Sequence, residues 1–276
     1  MKKYISVCLV LMLVLTACGC GQDQYTVERD YWKVKKQAEG IFRNPAATPP
    51  NELDRAVAGL NAFIRKYPKN LLALEADFMI ARLYLAKQEY EKSRQQLKGL
   101  MEKYGKAPAI ATEIMFLSGE SYQLQDRWEA ALIQYKKVIE DYPLTPKGLE
   151  LPIYIAQYYK VKFEPEKMRQ AYQNAIAHYK GLIEKYPDSP LAFRCYTLVS
   201  SCYSALKDWP STMQTLQTIA AKFKGKAPLD GVLMDMALIY KKEFKDAAKS
   251  KELLEQLIKE YPNSRLVAVA KKLLEK

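Results

Sequence analysis

The chain has 276 residues, 49% of them hydrophobic, with 11 glycines and 14 prolines. That composition excludes a disordered or fibrous protein and allows a sizeable core in one large domain or two ordinary ones. Lysine and arginine outnumber aspartate and glutamate by 43 to 31, a formal charge of +12; no basic cluster with interleaved aromatics accompanies it, which turns the reading away from nucleic acid.

In chain order, Lys2 and Lys3 come first, then an apolar run of about twelve residues from Tyr4 to Leu15. The run is short of the ~20 residues of a spanning helix and suits the core of a secretory signal. It ends in Leu15-Thr16-Ala17-Cys18, which resembles the bacterial lipobox. The resemblance implies a lipoprotein signal peptide over residues 1–17, cleavage before Cys18 and acylation (palmitate among the chains) of its thiol, and a lipidated tether over 18–24. Cys20 is the competing choice, but it would put Ala17-Cys18-Gly19 before the cut and lose the leucine. Each buried methylene contributes about 0.8 kcal/mol, so several chains on one cysteine make attachment durable. Gly19 rather than aspartate follows Cys18, which by the sorting rule of enteric bacteria favours the outer membrane, facing the periplasm. Without Lys2 and Lys3 the charge is +10. In an exported chain this points to anionic headgroups, acidic glycans or an acidic partner, or is simply a lysine-rich surface.

From Tyr25 onward the chain repeats. Tyr67-Pro68, Tyr142-Pro143, Tyr186-Pro187 and Tyr261-Pro262, with Tyr104-Gly105 and Phe223-Lys224 in the matching places, set aromatic positions 37, 38, 44, 37 and 38 residues apart. Between these marks the apolar spacing is helical: Trp128, Ala131, Leu132, Tyr135, Val138 and Ile139 share one face, as do Ile110, Ile114, Leu117, Ser118 and Tyr122. The short link Gln125-Asp126 makes that pair antiparallel. Proline after each tyrosine stops a helix. Thr145-Pro146, Ser189-Pro190 and Ser264 restart one, the hydroxyl capping free amides and the proline occupying a first helical position. The loop from Asn44 to Pro50 is expected to be mobile or extended, and Leu266 to Leu274 to close the array. Cys195 and Cys202, roughly 10.5 Å apart along a helix axis, are too far apart for a disulfide, which needs about 7 Å; they read as small apolar fillers.

Here the chain resembles the tetratricopeptide-repeat (TPR) family, whose unit is a pair of antiparallel helices. Gly119, Tyr122, Ala131, Tyr135 and Pro143 fall on the family's small, tyrosine, alanine, aromatic and proline positions. Ala175, Tyr179 and Pro187 do so in the fourth unit, and Ala56 and Pro68 in the first. Ser93 and Thr212 stand in place of the alanine, Gly105 and Lys224 in place of the proline, and the fourth unit carries about six extra residues around Lys160 to Glu166. The resemblance implies an all-α fold over 25–276, an α-α superhelix (TPR solenoid) of about six helical hairpins plus a C-terminal capping helix. In such an array each hairpin buries its apolar face only against its neighbours.

Catalytic chemistry is sparse. His178 is the single histidine, without the cysteine or histidine companions of a metal site. Gly225-Lys226 lacks the rest of a phosphate loop, and Gly119-Glu120-Ser121 sits inside a repeat helix. The expectation is a binding protein and not an enzyme, with no cofactor beyond the covalent lipid on Cys18 and no metal. The family binds partners, usually extended or helical peptides, along the surface lined by the first helix of each pair. Counted from the family tyrosine, that surface is expected to include Phe78, Arg82, Phe116, Glu120, Gln123, Tyr159, Lys160, Arg194 and Ser201, with Phe78 and Phe116 facing water as the strongest pair.

Among lipid-anchored TPR proteins the chain looks most like the BamD family of outer-membrane assembly lipoproteins. The likeness rests on the lipobox, the array and the phrase Glu184-Lys185-Tyr186-Pro187-Asp188-Ser189-Pro190; six units stand here where that family usually has five. It implies a scaffold for β-barrel insertion with protein partners in the cell envelope, membrane contact through the lipid, and no nucleic acid. A pilus-assembly or cell-division-coordinating TPR lipoprotein, or a structural envelope protein holding lipopolysaccharide or peptidoglycan, are the alternatives.

Overall fold

A computed structural model describes residues 23–275; the expected signal and the Cys18 lipid site lie outside the described residues. Among those residues there are thirteen helices and no strand. In chain order they are α1 (Gln24–Arg43), α2 (Pro50–Lys66), α3 (Leu71–Ala86), α4 (Tyr90–Tyr104), α5 (Pro108–Gln123), α6 (Trp128–Asp141), α7 (Pro146–Val161), α8 (Pro165–Lys185), α9 (Pro190–Ala205), α10 (Trp209–Lys222), α11 (Asp230–Lys242), α12 (Ala247–Glu260) and α13 (Val267–Leu274). They make six hairpins, α1–α2 to α11–α12, and a closing helix, as the sequence predicts.

The helix ends follow from local chemistry. Tyr67, Tyr142, Tyr186 and Tyr261 each cap the helix before them, with φ between −128° and −134° and ψ between 47° and 58°. The following proline crowds its predecessor out of the α region, so the helix stops there. Restarts are capped as expected: Gly148 N donates to Thr145 Oγ1 at 3.1 Å, Ala192 N to Ser189 Oγ at 3.1 Å, and Leu266 N to Ser264 Oγ at 3.1 Å. Within the five hairpins from α3–α4 onward, the turn instead uses a residue at positive φ: Gln88, Asp126, Phe163, Lys207 and Lys245, each between 55° and 61°.

The chain divides into two compact units, one up to Gly148 and one from Leu149. In the first, Val27, Tyr31 and Ile41 of α1 pack with Leu53, Leu60 and Phe63 of α2 and with Ile80 and Leu83 of α3. The other face of α3 gives Phe78 and Leu85 to a second cluster with Leu97 and Leu100 of α4 and Ile114 and Leu117 of α5. In the second unit, Met213, Leu216 and Ile219 of α10 meet Val232 and Met236 of α11, while Leu233 and Ala237 of α11 pack with Leu254 and Leu257 of α12 and Ala270 of α13. Each large side chain buried this way is worth about 1.5–3 kcal/mol, and one helix serves two clusters, so no hairpin could keep its core alone.

Departures from the family pattern are accommodated in the core. Ser93, buried where the family has alanine, donates its hydroxyl to Ala81 O across the hairpin at 2.9 Å. Thr212, also buried, donates to Asp208 O one turn back at 2.7 Å. Cys195 and Cys202 are free and buried, and burial pushes their thiols up to about 11 and about 12, which keeps them neutral.

Two expectations need correction. The extra residues of the fourth hairpin do not swell its turn; α7 has 16 residues like α3 and α5, and the excess extends α8 to 21 residues against 14 in α6. And the loop from Asn44 to Pro50, expected to be mobile or extended, is tied down: Lys87 Nζ donates to Pro45 O and Thr48 O, both at 2.8 Å, and Ala47 N to Asn44 Oδ1 at 3.3 Å. An ammonium between two carbonyls needs no sequence motif, which is why the loop reads as loose from composition alone.

Candidate functional site

In the first unit, α3 and α5 lie on either side of a shallow channel. Helical spacing puts Phe78 and Arg82 on one line of α3, and Glu113, Phe116 and Glu120 on one line of α5. Arg82 Nη2 meets Glu113 Oε1 at 2.8 Å. Lys147, at the start of α7, places its ammonium 4.0 Å from Glu113 Oε2 and 3.8 Å from the centre of the Phe116 ring. Phe116 is half-buried and packs against Tyr135, ring centres 5.8 Å apart. The channel thus carries alternating charge beside one half-buried aromatic ring. At its end, below the turns that finish α3 and α5, a hollow of about 540 Å³ is lined by Phe42, Arg82, Leu85, Tyr90, Leu117, Glu120 and Leu124.

Glu120 is the electrostatically unusual member. Burial pushes its carboxyl above the ordinary glutamate value, the nearby Glu113 adds to this, and Lys147 and Arg82 oppose it. Its charged form is thus disfavoured by burial, and Lys147 and Arg82 offset only part of that.

The other expected residues fall differently. Phe78 is only 8% exposed and belongs to the core cluster with Leu97 and Ile114; the expectation that it faces water is wrong, because α4 and α5 close over it. Tyr159, 9% exposed, is likewise buried, its ring edge-on to Tyr158. Gln123 is half-buried and accepts the Tyr135 hydroxyl at 3.1 Å, so its amide helps to hold a core ring. In the second unit, Lys160, Arg194 and Ser201 are exposed, and Ser201 Oγ donates to Thr197 O at 3.0 Å. Ser201 with Phe193, Thr197, Ser204 and Asp235 lines a separate hollow of about 620 Å³ between α9 and α11, and Asp235 itself stays exposed.

Sequence reasoning missed Arg94 and Asp77. Arg94 Nη1 donates to Ser121 Oγ and Gln125 Oε1, both at 3.0 Å, and its guanidinium lies 4.4 Å from the centre of the Tyr122 ring, clamping α4 to the next hairpin. Asp77 is buried, accepts Gln96 Nε2 at 3.0 Å and faces Lys103 at 3.5 Å. Only the recurrence of a charged residue on an otherwise apolar helix marks Asp77 in sequence. Among the described residues no three His, Cys, Asp or Glu side chains are grouped to hold a metal ion, and no helix is long and apolar enough to cross a membrane.

Compared with known proteins, the chain matches the profile of the tetratricopeptide repeat at residues 75–107, 113–145, 164–189 and 232–264. Three of these segments take in most of a hairpin, α3–α4, α5–α6 and α11–α12, each beginning inside its first helix, and the remaining one covers α8. No curated protein matches in sequence. Among solved structures, BtubC from P. vanneervenii is similar at 15% identity over 84% of this chain and 90% of that one, with a TM-score of 0.45. YrrB, described as a TPR protein with an unusual peptide-binding site, is similar at 13% identity over 77% and 97%, TM-score 0.39. The pilF product of Pseudomonas aeruginosa is similar at 12% identity over 91% and 100%, TM-score 0.38.

Proposed function

Starting from a chain that carries tetratricopeptide repeats, we propose that it is a protein-binding scaffold of the bacterial cell envelope, held to the outer membrane by lipid on Cys18, whose first unit takes a peptide segment of its partner along α3 and α5. The observation that carries the reading is the Arg82–Glu113–Lys147 chain of charges beside the half-exposed Phe116 ring. It offers an apolar seat and paired charges of both signs, the requirements for holding a segment in one register. The role is non-catalytic. The finer assignment, a BamD-like part in β-barrel assembly, is supported by Leu15-Thr16-Ala17-Cys18 and by the Glu184–Pro190 phrase.

The test is capture from detergent-solubilised envelopes by the full chain and by its Phe116→Glu and Arg82→Glu variants. A barrel-assembly protein recovered by the parent and lost from both variants supports the reading. Pilus or division proteins recovered with the same dependence would move the scaffold to those assemblies. Capture of the same proteins by all three would remove the channel of α3 and α5 from the binding surface.

A further inference from the structure

The five turns inside hairpins share one construction. The residue after the left-handed position donates its amide to a tyrosine carbonyl at the end of the first helix: Glu89 to Tyr84, Arg127 to Tyr122, Glu164 to Tyr159, Asp208 to Tyr203 and Asp246 to Tyr240, at 2.8 to 3.0 Å. In four turns the left-handed residue is polar: Gln88, Asp126, Lys207 and Lys245. In the fourth hairpin it is Phe163, at φ 57°, a bulky residue in a region that disfavours it. Its ring is 91% exposed, and Val161, two residues before, is 72% exposed. Neither local geometry nor packing requires an aromatic side chain there, and both backbone conformation and water oppose it.

The surroundings indicate what the ring meets. Lys160 and Lys162, both exposed, alternate with Val161 and Phe163. Glu164 is engaged by Lys167 at 2.5 Å, and between Lys160 and Arg169 four cationic side chains stand against two carboxylates. A projecting tip of two apolar side chains is far smaller than the ~800 Å² that a stable protein partner covers on one side. An apolar tip ringed by long cationic stems instead matches the boundary between headgroups and acyl chains, where lysines reach outward to phosphate. We propose that the turn between α7 and α8 is a membrane-docking tip, inserting Val161 and Phe163 into a phospholipid surface whose anionic headgroups pair with Lys160 and Lys162. This is independent of the peptide channel in the first unit.

The full chain is bound to vesicles of phosphatidylcholine alone or mixed with phosphatidylglycerol, and amide hydrogen exchange is followed by mass spectrometry. Residues 158–166 are expected to exchange more slowly on the anionic vesicles only, with the protection reversed by high salt and the turn at 122–128 unchanged. Lys160→Gln should lower the docked-to-undocked ratio about fivefold, and Phe163→Ser more than about tenfold. Phe163→Asn, which suits a left-handed residue, should abolish protection while leaving the melting temperature equal or higher, so a loss cannot be blamed on unfolding. Equal exchange on both vesicle types, or protection that survives Phe163→Asn, would overturn the proposal. Protection that arises only when envelope proteins are added would assign the tip to a protein pocket, and overturn it too.

Discussion

The ring of Tyr135 occupies the space a side chain at residue 119 would need. A Cβ on Gly119 would stand 2.8 Å from Tyr135 Cδ1 and 2.9 Å from Cζ, and closer still to Cε1, while the ring is wholly buried and has nowhere to go. The glycine therefore sets the distance between α5 and α6. Gly119→Ala gains about 1 kcal/mol of helix propensity but overpacks the hairpin. Overpacking costs about 1–3 kcal/mol, so after that gain a net loss of up to about 2 kcal/mol is expected, read as a lower urea midpoint at unchanged slope.

Phe78 and Phe116 occupy equivalent places in successive repeats, yet only the first is core. Phe78→Ala should cost about 3–5 kcal/mol, the value for emptying a buried aromatic site. Phe116→Ala should cost clearly less and act on partner capture instead. Chemical unfolding of the two single variants, side by side with capture, separates the roles. Equal destabilisation would mean that Phe116 too is structural.

The contrast marks what the sequence could and could not tell. Tyrosine–proline stops, serine and threonine caps and the Gly119–Tyr135 pair are legible because each acts on backbone within one or two helices. Whether a ring on the first helix is covered depends on the next hairpin, which brings Ile114 and Leu117 over Phe78 but Lys147 over Phe116. Arg94 was illegible for the same reason: its partners Ser121 and Gln125 lie a whole repeat away. The charged channel was half legible, as Arg82 and Glu120 were foreseen and Glu113 and Lys147, which join them, were not.

Glu120 predicts a pH effect of definite sign. Its carboxyl is raised in the folded chain, so the folded state holds the proton more tightly than the unfolded one, and stability falls as pH rises through the folded value. Glu120→Gln should therefore raise the melting temperature at neutral pH, with the gain vanishing below the ordinary glutamate range. Melting of parent and variant across pH 4 to 8 checks this; a variant less stable at neutral pH would contradict the assignment.

Asp30 works in the opposite sense. Hydrogen bonds from Lys66 Nζ at 2.8 Å and Tyr67 Oη at 2.7 Å hold its carboxyl down to about 2. Its contribution is present above the ordinary aspartate value of 3.8 and lost as pH falls through about 2. Asp30→Asn should weaken the α1–α2 hairpin at neutral pH and flatten the acid limb of its unfolding curve. Circular dichroism during acid titration reports it.

The length of α8 has a geometric consequence. Its seven residues beyond α6 amount to about 700° of rotation, within about 20° of two full circles. Tyr172, Ala175, Ile176 and Tyr179 consequently keep one azimuth, and all four are buried. A gain of five residues would have swung that stripe by about 140° and turned the exposed Gln173 and Asn174 inward. Insertions in this architecture are thus commensurate with the helix: the array can be lengthened by whole pairs of turns without recutting any neighbour.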